Sequence, residues 1–127
     1  MRIDHITINV TDLEASEKFY SEVLGLKRLH DVDMGDHRLH YFELNDGAML
    51  ELIDYDDPAG ELHPSVKTMG IYRHLAFSVE DVDAVYEKAK AYGAEIFAAP
   101  ADVEKLNFRN ILIRDPNGVE LEILHRY

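Results

Sequence analysis

Two histidines and two glutamates carry the chemistry legible in this chain, because each stands at a repeated position. His74 follows His5 by 69 residues, and Glu122 follows Glu51 by 71. RIDHITINVTDLEASEKFY at Arg2–Tyr20 is matched by YRHLAFSVEDVDAVYEKAK from Tyr72, with Asp81 and Ala84 also 69 residues beyond Asp12 and Ala15. NDGAMLELI is matched by PNGVELEIL, with Gly118 over Gly47 and Leu121 over Leu50. Two imidazoles and two carboxylates can hold one divalent ion, Zn, Ni, Co, Mn or Fe, with positions left for water or substrate; the set disfavours Cu(I). Taken singly, such a His or Glu is more often a solvated or hydrogen-bonded residue on a sheet face. Repetition in register is what favours the joint reading.

The elements that must position these four follow from periodicity. Along residues 2–10, Ile6, Ile8 and Val10 share one face while His5, Thr7 and Asn9 share the other. The copy at about 71–79 sets Leu75, Phe77 and Val79 against His74, Ala76 and Ser78. Thr11 or Asp12 can cap a helix running to about Leu24 with Leu13, Phe19, Tyr20, Val23 and Leu24 buried, and Gly25 ends it. Strands at about 26–33, 37–44 and 48–54 follow, turning at Met34–Asp36 and at Asn45-Asp46-Gly47. The second module has a helix from Val82 to about Tyr92 ended by Gly93, a short strand near 94–98, and an irregular piece through Pro100 to about Lys105. Strands at about 106–114 and 118–125 then turn at Asp115-Pro116-Asn117-Gly118. The expectation is an α+β fold of tandem βαβββ modules, about 1–54 and 71–127, joined by a Pro- and Gly-bearing linker at 55–70. The two residues gained between the copies are expected before Lys105. Glu51 lies between Leu50 and Leu52, and Glu122 between Leu121 and Ile123, so both carboxylates fall on the face opposite the apolar one.

Strand parity adds Thr7, Asn9, Leu39, Tyr41 and Met49 from the first module to the same open side. Ser78, Phe108, Asn110 and Leu112 join it from the second; these are candidate substrate-binding positions or merely the lining of a groove. The run from His30 to His37 has the composition of a second metal site but reads as a solvated hairpin tip. His63 and His125 read as ordinary surface histidines.

A chain of 127 residues, 46% hydrophobic, is long enough for one compact domain. With 25 acidic against 13 basic residues the formal charge is −12, which argues against a nucleic-acid or anionic-membrane partner. No cysteine is present, excluding disulfides, thiolate sites and cysteine nucleophiles. Without a signal-peptide pattern or an apolar run of spanning length, the expectation is a cytoplasmic protein.

DHITINVTDLEASEKFYSEVLGL, RHLAFSVEDVDAVYEKAKAYGA and RDPNGVELEIL together resemble the vicinal oxygen chelate (glyoxalase/bleomycin resistance/dioxygenase) superfamily, and within it metal-dependent glyoxalase I, the lactoylglutathione lyases. The resemblance covers the whole chain, 1–127, as one vicinal oxygen chelate domain, and the DPNG-x-ELEI ending is its most specific motif. It implies that His5, Glu51, His74 and Glu122 bind the catalytic metal and that paired modules form curved mixed sheets around it. It also implies a homodimer in which His5 and Glu51 come from one subunit and His74 and Glu122 from the other. The implied reaction moves a proton between adjacent carbons of a small vicinal-oxygen substrate through a metal-stabilised enediolate. A glutamate loosened from the metal then serves as base: Glu122 by choice, Glu51 as its symmetric partner.

The same scaffold serves methylmalonyl-CoA-epimerase-like epimerases, which usually have glutamine where this chain has Glu51. It also serves extradiol dioxygenases, with two histidines and one glutamate, and bleomycin-resistance proteins that sequester a ligand without catalysis. Glutathione-using bacterial glyoxalases carry arginine where this chain has Asn9 and asparagine where it has Tyr55. A glutathione adduct is therefore a doubtful substrate; another thiol adduct, a small α-hydroxycarbonyl or a sugar-like compound is left open.

Overall fold

The structure, a computed structural model, describes residues 3–57 and 73–127. Linker residues 58–70, including His63, and the first residues of the expected strand at 71–72 lie outside the described residues. The chain divides into two compact units, Met1–Glu61 and Leu62–Tyr127, each described by itself. Among the described residues no helix is long and apolar enough to cross a membrane.

In the first unit β1 (His5–Asn9) leads through α1 (Leu13–Lys18) to β2 (Arg28–Asp33), β3 (His37–Glu43) and β4 (Met49–Tyr55). Asp12 caps α1, its carboxylate accepting from the Ala15 amide at 3.0 Å. In the second unit β5 (Leu75–Ser78) leads through α2 (Val82–Tyr92) to β6 (Glu95–Val103), β7 (Phe108–Arg114) and β8 (Glu120–Arg126). Asp81 caps α2 in the same way, accepting from Ala84 at 2.9 Å. Gly93 ends α2 at φ 86°, a left-handed conformation that costs a side chain with a Cβ but not glycine.

Each unit forms one four-stranded mixed sheet, ordered β1-β4-β3-β2 and β5-β8-β7-β6. The first strand pairs parallel with the last, and the other pairs are antiparallel. The apolar alternation puts Ile8, Val10, Phe42, Leu50 and Leu52 in the first core with Phe19, Tyr20 and Val23 from the helical segment. Phe19 and Tyr20 meet edge to face at 5.3 Å. Leu75, Ile111, Ile113, Leu121 and Ile123 make the second core with Val82 and Ala89 of α2.

The structure adds one local feature to the expected elements and departs from them at two places. The first helical segment ends at Val23 with Leu24 as its C-cap, as expected, but it is not regular: beyond Lys18 it widens at Phe19–Val23, the Leu24 amide reaching back five residues to Phe19. The reason is one extra residue, since Gly93 follows Gly25 by 68 residues whereas the N-caps are 69 apart. The expected irregular piece through Pro100 is strand: β6 continues to Val103, its surplus residues absorbed by two register irregularities against β7. The spacing from helix end to third strand is accordingly three residues longer in the second module, 15 against 12, so the net gain of two conceals one loss and three gains. Finally, β4 runs on to Tyr55, into the segment read as linker.

Candidate metal centre

The parallel pairing of first and last strand sets each histidine beside its glutamate by the same register. His5 lies opposite Met49 and Thr7 opposite Glu51; in the second unit Ala76 lies opposite Glu122, with His74 two residues before Ala76. The neighbouring strand supplies Tyr41 opposite Glu51 and Leu112 opposite Glu122. Both carboxylates thus stand in the middle of a sheet, on the face away from the helix.

In the first unit Glu51 is 7% exposed. Its Oε1 accepts from the Thr7 hydroxyl at 3.0 Å and its Oε2 accepts a short bond from the Tyr41 hydroxyl. That bond, with burial, pushes the Tyr41 phenol up to about 12, so it stays a donor. His5 bonds through Nδ1 to the Asp4 carboxylate at 2.8 Å. A carboxylate only accepts, so Nδ1 carries a proton in this bond, which leaves Nε2 as the ring nitrogen that could ligate an ion. The Asp4 bond, followed by the nearby Glu51 charge, raises the His5 pKa against the opposing effect of burial.

In the second unit Glu122 Oε1 accepts from the Asn110 amide at 2.7 Å, and Oε2 stands 3.4 Å from His74 Nε2. Two ligands of one ion, each bonded at about 2.1 Å in tetrahedral array, lie about 3.4 Å apart. Glu120, two residues earlier on the same strand, is held by Arg73 and by Arg114 at 3.1 Å, so its charge is already matched. Among the described residues neither Glu51 nor Glu122 has a lysine or arginine partner. Burying a carboxylate without a cation is costly, and a divalent ion suits these donors.

The other candidate positions separate into groups. Thr7, Tyr41 and Asn110, read as facing substrate, are hydrogen-bonded to the two carboxylates. Asn9 and Ser78 are exposed at strand ends and Met49 is half-buried. Phe108 is buried with the Arg126 guanidinium 5.3 Å from its ring centre. Tyr55 stacks on His37 at 5.0 Å, and His125 bonds to the Val79 carbonyl at 2.9 Å.

One cluster was not anticipated. Glu17 of α1, Asp31 of β2 and buried His40 of β3 bring ligand-type atoms within 4.8 Å of one another on the helix-covered side of the first sheet. Arg28 already lies among them, its guanidinium 2.7 Å from Glu17, 2.7 Å from Asp31 and 3.3 Å from His40. The guanidinium supplies the cation there, and the cluster ties α1 to the sheet edge. The available signal was parity: His40 alternates with Leu39 and Tyr41 and so shares the buried face of Phe42. The run from His30 to His37 thus contributes Asp31 to an ion-pair cluster, while its turn lies at residues 34–36.

Comparison with known proteins agrees with this architecture. The family model described as Glyoxalase/Bleomycin resistance protein/Dioxygenase superfamily matches residues 2–123. A Vibrio cholerae protein named "Probable lactoylglutathione lyase" is 27% identical over 97% of this chain and 89% of its own length. The trypanothione-dependent glyoxalase I of Leishmania major superposes with a TM-score of 0.79 at 27% identity, covering 98% of this chain and 86% of that one. A glyoxalase/bleomycin resistance protein/dioxygenase domain from Frankia sp. EAN1pec reaches a TM-score of 0.83 at 23% identity, covering 100% of this chain and 93% of that one, and bears on the fold alone. With the repeated sheet, the matched histidine–glutamate pairs and a family match over nearly its full length, the chain belongs to the glyoxalase/bleomycin resistance protein/dioxygenase superfamily.

Proposed function

We propose that this protein is a glyoxalase-like, metal-dependent lyase or isomerase, a cytoplasmic homodimer acting on a small vicinal-oxygen substrate. His5, Glu51, His74 and Glu122 would converge on one divalent ion per site. The observation that carries this is the duplicated register, which in each unit seats beside an imidazole a carboxylate that has no lysine or arginine partner among the described residues. Relatives named lactoylglutathione lyase support an enzyme of this class. The ion's chemistry would be Lewis-acid stabilisation of negative charge on two adjacent substrate oxygens.

The chain's own groups do the rest. Glu122, proposed as the base, takes the proton from the substrate C–H as a carboxylic O–H and returns it to the neighbouring carbon, so no electron acceptor is consumed. His5 and His74 would each present Nε2 to the ion. Asn9, Ser78 and Met49 are proposed to line the substrate's approach. Because Asn9 and Tyr55 stand where glutathione-using glyoxalases have arginine and asparagine, the proposed substrate is a different thiol adduct, a small α-hydroxycarbonyl or a sugar-like compound.

The test is turnover in deuterated water by Ni2+- or Zn2+-loaded protein, with methylglyoxal hemithioacetals of several thiols and with hydroxyacetone. Solvent deuterium should enter the product without oxygen uptake, and Glu122→Gln should abolish its entry. Oxygen consumption by an Fe2+-loaded sample given a catechol would point to an oxygenase instead.

A further inference from the structure

The two units hold their glutamates by different means, and the difference extends across each sheet. In the first, Glu51 is flanked by Thr7 and Tyr41, which bond to separate carboxylate oxygens, and His30 of β2 stacks on Tyr41 with ring centres 4.9 Å apart. In the second, the same register positions around Glu122 are Ala76 and Leu112, with Ala98 opposite Leu112. Neither side chain beside Glu122 can donate a hydrogen bond, and among the described residues its side-chain donor is the Asn110 amide on Oε1.

We propose that Tyr41, assisted by Thr7, is a positioning residue that fixes Glu51 as the static carboxylate of the metal centre and leaves Glu122 as the one free to move. This rests on the four-residue metal reading above. A carboxylate has about four lone-pair sites, so one donor on each Glu51 oxygen still leaves each a lone pair for an ion. Two donors arriving from opposite neighbouring strands prevent the group from rotating or swinging without breaking both bonds. Tyr41 is itself restrained by the His30 ring. Glu122, anchored at one oxygen, can rotate away from an ion while keeping its bond to Asn110. Sheet 1 would serve as the fixed half of the centre and sheet 2 as the half that transfers the proton. The repeat alone cannot express this division, because the two glutamates are equivalent in it and only their neighbours differ.

Calorimetric titration of metal-free protein with Zn2+, together with the optical spectrum of the Co2+ form, tests the assignment. Tyr41→Phe keeps the ring and its stacking but removes the donor, and should weaken Zn2+ binding by about 10- to 100-fold. The Co2+ spectrum should change and the unfolding midpoint of the metal-free protein should not. Thr7→Val should weaken binding in the same direction. Asn110→Leu, which gives sheet 2 the residue found at Leu39, should weaken it less than Tyr41→Phe does. Unchanged or tighter Zn2+ binding by Tyr41→Phe overturns the proposal while leaving the metal reading intact. So does a loss in Asn110→Leu as large as in Tyr41→Phe, or a loss matched by equal destabilisation of the metal-free protein. A wild type that binds no Zn2+ overturns the metal reading and this proposal together.

Discussion

Hydroxyl, amide and carboxylate contacts decide what single residues do in this molecule. Asp115, 5% exposed, accepts from the Asn117 and Val119 amides at 2.8 Å each and from the Asn117 side chain at 2.9 Å. Asp115→Ala leaves those donors unmatched in a buried turn and should cost about 3 kcal/mol in chemical denaturation. The Arg28 cluster gives a pH dependence. Burial pushes the Asp31 carboxyl up, but its bonds to Arg28 and His40 outweigh this and hold it below the ordinary 3.8. A depressed carboxyl contributes stability that is present above its unfolded value and lost as pH falls through its folded value. Acid titration followed by circular dichroism should therefore show wild type losing stability below about pH 4 more steeply than Asp31→Asn. The four ligand candidates were legible because the repeat marks them. Their holders were not: parity places Thr7 and Tyr41 on the right face, but whether a hydroxyl there meets substrate or the neighbouring carboxylate depends on cross-strand register.

Among the elements, those with local signals were readable and those set by pairing were not. Asp12 and Asp81 are capping residues followed by apolar periodicity, and Gly93 closes α2 where expected. Asp12→Ala and Asp81→Ala should each cost about 1 kcal/mol of unfolding free energy. The stretch Ala98 to Ala101 has weak strand propensity, yet its pairing with β7 overrides local preference and takes up the surplus residues as irregularities. The widened turn at Phe19–Val23 was hidden for a similar reason. One added residue leaves the apolar pattern nearly intact, and the helix accommodates it while Phe19, Tyr20 and Val23 all stay buried.

At the scale of the whole molecule the acidic surplus is organised around arginines. Arg28 serves Glu17 and Asp31, Arg38 serves Asp54 and Asp56, Arg109 serves Asp83 and Asp102, and Arg114 serves Glu95 and Glu120. Against that background Glu51 and Glu122 stand out as sheet-face carboxylates with no such partner among the described residues. The proposed homodimer makes a distinct prediction about how the half-sites combine. If each site draws His5 from one subunit and His74 from the other, mixing and refolding His5→Ala with His74→Ala should restore about a quarter of the wild-type sites, since half the dimers are mixed and one of their two sites is intact. Pairing within a chain would restore none. The central claim is tested most directly by metal content after saturation with Zn2+ and exhaustive dialysis, for wild type, Glu122→Gln and His5→Ala. We expect one ion per chain in the wild type and clearly less in both variants. Equal metal content in all three, or none in any, would contradict the account.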